Sequence, residues 1–264
     1  MRINVLGSSS SGNATLVVSG STRVLIDAGF SAREISRRLQ AIGEDIKNVD
    51  AIVVTHEHTD HIRGVPVLAR SLNLPIFISH ATLTAWNLGR VNDALAANQS
   101  ISAEEPFEIG ELQFRPFRVP HDAAETMAFN ISAHGVKLSY ATDLGYIPQL
   151  VAQHLQGSDA IILEANHDLE MLKNGPYPWA LKQRVMSRHG HLSNDEMARF
   201  LQEDFDGRAE HIVLMHLSRT NNHPEVVRLV AWQALDGRGP QFTRDLERRL
   251  QLARHDRPSE WMEL

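Results

Sequence analysis

The densest chemistry in the chain lies in Thr55-His56-Glu57-His58-Thr59-Asp60-His61, which sets three histidines and two carboxylates in six consecutive positions. Side chains alternate along an extended segment, so His56 and His58 project to one side and can grip one ion. Where the chain turns into a helix, Asp60 and His61 can address a second ion. Two ions suit hydrolysis, because together they deprotonate a water and clamp the attacking and leaving oxygens of a displaced ester. Glu57 faces the other way and reads as support.

A dinuclear site needs more donors, each held where backbone geometry fixes it. His121 closes Phe117-Arg118-Val119-Pro120, Asp143 closes Leu138–Thr142, and His216 closes Ile212-Val213-Leu214-Met215. Each alone reads as a polar cap on a strand; with the first cluster they read as ligands. Asp27 ends Arg23-Val24-Leu25-Ile26 in the same way, and a carboxylate there can accept a hydrogen bond from a ligand imidazole. Glu164 ends Ile162-Leu163, and His191 precedes a helix that Ser193 or Asn194 can cap. A histidine held by a carboxylate is a suitable general acid for a departing alkoxide.

These residues need strands to position them. Arg2–Leu6, Thr15–Ser19 and Arg23–Ile26 read as a meander, punctuated by the small-residue loop Gly7–Asn13, whose hydroxyls and amides can bind anionic oxygens. Ser31 and Glu34 have capping-box spacing, with Ile35, Leu39 and Ile42 on the apolar face and Arg33, Arg37 and Arg38 outward. Ala51–Val54 reads as a strand buried on both faces. A helix at Val65–Leu72, a strand at Pro75–Ile78, a helix near Thr82–Leu88 and a loop to Glu105 follow. Strands at Leu112–Val119, Met127–Ala133 and Val136–Tyr140 open a second batch, continued by Ala160–Leu163 and Ile212–Leu214. Helices fall at Pro148–Leu155, Trp179–Ser187, Asn194–Gln202 and from Pro224. Two β-then-α batches without a linker predict a single domain over 1–264 whose last stretch, 236–264, is a charged, solvated extension.

Composition narrows the chemistry. The 264 residues carry 26 Lys+Arg against 32 Asp+Glu, so no global positive field draws nucleic acid. There is no cysteine, which excludes disulfides, thiolate metal sites and a cysteine nucleophile and confines any metal to nitrogen and oxygen donors, of which 14 histidines are a ready source. No run approaches the roughly 18 apolar residues of a membrane helix, which makes the cytoplasm the expected location and a membrane partner unexpected.

His56, His58, Asp60 and His61 match the H-x-H-x-D-H signature of the metallo-β-lactamase superfamily, and Asp27, His121, Asp143 and His216 follow its other motifs in order; the chain thus resembles that superfamily. The resemblance implies an α/β fold, the αββα sandwich, and two divalent ions, zinc or manganese with iron also suited. It implies one ion on His56, His58 and His121, another on Asp60, His61 and His216, and Asp143 shared. The pair Glu164 and His191, in Gly190-His191-Leu192-Ser193-Asn194, is similar to the acid machinery of ribonuclease Z-type phosphodiesterases. Together with Gly7–Thr15 and His216-Leu217-Ser218-Arg219-Thr220-Asn221-Asn222, these segments resemble the YycJ/WalJ family of 5′-to-3′ DNA exonucleases. That resemblance implies a phosphodiesterase acting on single-stranded or 5′-phosphorylated DNA without sequence readout. Asp60, Glu164 and His191 would be catalytic, and Ser8, Ser9, Ser10, Ser11, Asn13, Ser218 and Asn222 would contact phosphates.

Lys173, Lys182, Arg184, Arg188 and Arg219 would line a groove, with Tyr177 and Trp179 stacking on bases. Two other classes remain open: a small-molecule metallo-hydrolase, a thioesterase or organic phosphodiesterase, and a metal-bearing binding protein without turnover.

Overall fold

The computed structural model describes residues 1–86 and 98–264. Their strands fall into two seven-stranded sheets, both mixed, with helices between strands, the α/β class expected. The chain divides into two compact units. Unit 1 comprises Met1–Arg118, Ala123–Val136 and Arg254–Leu264, and unit 2 comprises Val119–Asp122 and Lys137–Ala253.

Unit 1 begins with an antiparallel meander of β1 (Arg2–Ser9), β2 (Gly12–Ser19) and β3 (Thr22–Ile26). The expected Gly/Ser loop is instead the tight end of the β1–β2 hairpin, where Ser8 pairs with Asn13 and Ser9 with Gly12. Parallel pairing then joins β3 to β4 (Ala51–Val53), β5 (Ile76–Ser79) and β6 (Asn98–Ile101). All of β4 is buried, as a parallel strand covered on both faces must be. Strand β6 lies inside the stretch expected to be loop, as its exposed polar residues Asn98, Gln99 and Ser100 give no apolar signal. The helix expected near Thr82–Leu88 is described over His80–Ala85; its expected end lies outside the described residues.

Helix α1 (Ala32–Ala41) starts at Ser31, whose side chain accepts from Glu34 N. It buries Ile35 and Leu39 against Leu6, Leu16 and Leu25, each worth about 1.5–3 kcal/mol. Arg38, expected to face outward, is buried. Its guanidinium donates to Leu6 O at 2.7 Å, His255 O at 2.9 Å and Glu34 Oε1 at 2.7 Å, and lies 4.1 Å over the Phe30 ring. Carbonyls distant in the chain draw it in. Strands β7 (Phe107–Ile109) and β8 (Leu112–Val119) form a hairpin in which the Phe107 and Phe114 rings stack at 5.1 Å. Strand β9 (Thr126–Ala133) follows this hairpin.

Unit 2 is a parallel array of β10 (Val136–Ala141), β11 (Ala160–Glu164), β12 (His211–Met215) and β13 (Leu250–Leu252). Helices α5 (Gln149–Leu155), α6 (Leu169–Asn174), α7 (Trp179–Val185), α8 (Asn194–Arg199) and α9 (Pro224–Asp236) lie between its strands. The tail departs from a solvated extension. Leu250–Leu252 adds an edge strand beside β12, and Met262–Glu263 (β14) pairs with β1 in unit 1. Arg249 is buried and donates to Ala209 O and Gly207 O.

Candidate metal centre

In unit 1 the ligand segment leaves β4 and is pinned by Asp27, the residue after β3. Thr55 N donates to Asp27 Oδ1 at 2.8 Å, and His61 Nδ1 lies 2.7 Å from Asp27 Oδ2. Thr55 Oγ1, 2.9 Å from Asp27 Oδ2, has one proton, which goes to the carboxylate; it therefore accepts from His56 Nδ1 at 3.0 Å. Both buried rings thus carry their proton on Nδ1 and present Nε2 as a lone pair. Helix α2 (Thr59–Ile62) starts after His58 and puts Asp60 in its first turn. The His56 ring is 4.6 Å from that of His58 and 4.2 Å from that of His61. Glu57 turns away to accept from Ala124 N at 2.7 Å. Burial pushes the Asp27 carboxyl up, against the opposing pull of His61 and Thr55. Gly29 makes the packing possible, since a Cβ there would lie 1.6 Å from Asp60 O.

Unit 2 gathers its side chains from separate strand ends. Asp143, Glu164, His191 and His216 offer donor atoms within 4.8 Å of one another. Glu164 is fully buried, and its Oε1 accepts from His191 Nδ1 at 2.8 Å and His216 Nδ1 at 2.9 Å, while Oε2 accepts from Leu144 N at 2.8 Å. Burial works to raise its pKa, but the charge on His191 and the two imidazole hydrogen bonds outweigh that and hold it at about 2. His191 is raised in turn: burial lowers it, and the Glu164 carboxylate more than offsets this. Its side chain is 23% exposed against 1% for His216, so of the two imidazoles on Glu164 it is the one open to solvent. His121 Nδ1 donates to Gly190 O at 2.8 Å, and Asp143 Oδ2 accepts from Thr142 Oγ1 at 2.9 Å.

Asp27, Asp143 and His216 have φ of 60°, 57° and 58°. The left-handed region costs a residue with a Cβ about 1 kcal/mol. All three follow a strand: Asp27 comes after β3, Asp143 after β10 and His216 after β12. The donor set fits divalent ions: His56, His61, His121 and His216 each engage Nδ1, which orients Nε2 for coordination, and no thiolate competes.

Ser8, Ser9 and Asn13 are buried, whereas Ser10 and Ser11 are exposed at the hairpin tip. Ser218 Oγ accepts from Asn221 N at 3.1 Å, and the Asn222 amide pairs with that of Asn194, so both bind within the fold. Lys182 does not line a groove: it is buried, and its Nζ donates to Lys173 O at 2.6 Å. Arg184 pairs with Asp122, Lys173 with Glu170, and Arg188 lies over the Tyr146 ring at 4.4 Å. Arg219 is exposed, Tyr177 is half-buried, and Trp179 is 63% exposed.

Sequence reasoning missed Thr55, Asn166, which donates to His216 O at 2.8 Å, and the second imidazole on Glu164. The glycine before His191 was a usable signal: a Cβ at Gly190 would meet Val185 O at 2.2 Å. His167 is buried and held at about 4, with burial the leading cause, and neither ring nitrogen has a partner among the described residues.

A family model described as a beta-lactamase superfamily domain matches residues 22–217. The exodeoxyribonuclease YycJ of Bacillus anthracis is 34% identical over 241 residues, covering 90% of each chain. The exodeoxyribonuclease WalJ of Streptococcus pneumoniae is 34% identical over 232 residues, covering 86% of each. Among solved structures, zinc-bound PqqB from Methylobacterium extorquens superposes with a TM-score of 0.72 at 19% identity over 100% of each chain. The short form of human tRNase Z superposes with a TM-score of 0.66 at 17% identity, covering 98% of this chain and 99% of that one.

Proposed function

The chain belongs to the beta-lactamase superfamily as a metal-dependent hydrolase, and within it we propose a 5′-to-3′ exodeoxyribonuclease acting on single-stranded or 5′-phosphorylated DNA ends without sequence readout. The observation that carries this reading is the 34% identity to an exodeoxyribonuclease along 90% of both chains. The family pattern assigns one divalent ion to His56, His58 and His121 and a second to Asp60, His61 and His216, with Asp143 shared. Zinc and manganese suit this nitrogen and oxygen set, and iron also fits. Bound ions supply Lewis-acid polarisation of the phosphate and lower the pKa of the attacking water.

The chain's own residues do the rest. Glu164 stays anionic and raises the proton affinity of His191, which favours the protonated ring. With Nδ1 committed to Glu164, Nε2 is the atom that protonates the leaving oxygen. The same carboxylate orients His216, so one anion serves both the acid and a ligand. Ser10 and Ser11 are the exposed hydroxyls of the hairpin that can meet a phosphate, and Ser8, Ser9 and Asn13 brace them. Ser218 and Asn222 brace the segment after His216. A cytoplasmic location suits this substrate, and no helix among the described residues is long and apolar enough to cross a membrane.

The test incubates metal-quantified protein with 5′-phosphorylated and 5′-hydroxyl single strands of DNA and RNA and follows the products over time. Mononucleotides released from the 5′ end of phosphorylated DNA are expected. Hydrolysis of small phosphodiesters or thioesters that oligonucleotides do not inhibit would assign a small-molecule enzyme instead.

A further inference from the structure

The β1–β2 hairpin holds a side chain that the chemistry above uses only as a brace. Asn13 is fully buried beside the first ligand cluster. Its Oδ1 accepts from Ser8 Oγ at 2.7 Å. Its Nδ2 lies 3.1 Å from Ser9 O, 3.1 Å from His61 Nε2 and 3.4 Å from Asp60 Oδ2.

The network leaves one orientation for this amide. A backbone carbonyl and a carboxylate only accept, so the nitrogen must face Ser9 and Asp60, and the oxygen must face the Ser8 hydroxyl. His61 donates from Nδ1 to Asp27, so its Nε2 accepts. One Asn13 N–H is taken by Ser9 O, and the other is shared between His61 Nε2 and Asp60 Oδ2. Those two acceptors belong to residues that the family pattern assigns to a single ion. The backbone ties the same parts together, as Gly29 N donates to Asn13 O at 2.8 Å and Ala28 N to His61 O at 2.8 Å.

We propose that Asn13 is a positioning residue for the metal ligands Asp60 and His61. Its shared N–H keeps the carboxylate and the imidazole nitrogen side by side, and it passes wholly to Asp60 when a divalent ion takes the His61 lone pair. Ser8 locks the amide in the orientation that makes this possible. The role differs from a phosphate contact and rests on the metal reading above.

The test titrates zinc alone into the full chain, stripped of metal with a chelator, by calorimetry, with the melting temperature of the metal-free protein measured alongside. Asn13→Leu keeps the volume and removes the N–H. It is expected to weaken zinc binding about 10- to 100-fold, the usual effect of losing a ligand's supporting partner, with the metal-free melting temperature within a few degrees of wild type. Ser8→Ala is expected to act in the same direction by a smaller factor. Zinc binding by Asn13→Leu equal to or tighter than wild type would reduce Asn13 to a hairpin brace. If that variant does not fold, Ser8→Ala decides: unchanged affinity there overturns the proposal. A wild-type chain that binds neither zinc nor manganese would instead overturn the metal reading itself.

Discussion

The cluster at His56–His61 and the cluster around Glu164 follow one plan with different materials. Each places a buried carboxylate at the end of a strand, and each uses it to fix imidazole Nδ1. In unit 1, Asp27 takes His61 together with Thr55, and the candidate ligands come from one short segment. In unit 2, Glu164 takes two imidazoles, His191 and His216, delivered from different strands and loops. The first carboxylate holds one buried imidazole, whereas the second divides its charge between a buried ring and a partly exposed one. Under the proposed mechanism, coordination and proton transfer would be joined in unit 2 and not in unit 1.

This contrast can be broken by substitution. Glu164→Gln should have the largest effect, lowering DNA turnover about 10³-fold, because it removes the anion behind His191 and His216 together. His191→Ala should lose nearly as much while keeping its metal content, and it should spare an activated nitrophenyl ester with a good leaving group. Equal losses on DNA and ester would remove His191 from proton transfer. Asp27→Asn should act through metal affinity, weakening zinc about 10- to 100-fold, with turnover recovering at saturating metal. Turnover that fails to recover would show that the two carboxylates do the same work.

Two buried polar side chains extend the comparison to stability. Arg38, in unit 1, has a hydrogen-bond partner on each guanidinium nitrogen, so Arg38→Ala should cost about 2–3 kcal/mol by denaturant unfolding. His167, in unit 2, has none of its ring nitrogens satisfied among the described residues. His167→Leu should therefore hold or raise stability, by about 1 kcal/mol. A clear loss on unfolding would show that His167 makes a bond this network does not reveal.

How much of this was legible follows from where each partner lies in the chain. Strands β1, β3, β4, β8 and β12 stood out because apolar runs bounded by polar residues carry their own signal. Strand β6 did not, since Asn98-Gln99-Ser100 joins the sheet through backbone pairing with Ile76, Phe77 and Ile78. The tail read as a charged, solvated extension because six arginines and six acidic residues crowd 236–264, yet Arg249 spends its charge on buried carbonyls and the strand beside it extends a sheet. Arg38 and Lys182 were misplaced for the same reason: long cationic side chains reach acceptors that helical periodicity does not include.

By itself the sequence determined the donor types, the absence of thiolate, and the first cluster, because neighbours along an extended segment and its following turn hold fixed directions. It also marked Asp143, Glu164, His191 and His216 as polar residues at the borders of apolar runs. Only the tertiary structure decided which carboxylate holds which imidazole, which ring nitrogen carries the proton, and which histidine meets solvent. Those choices depend on the register of strands distant in sequence, and hydrogen bonds between such strand ends exist only once the sheets are formed.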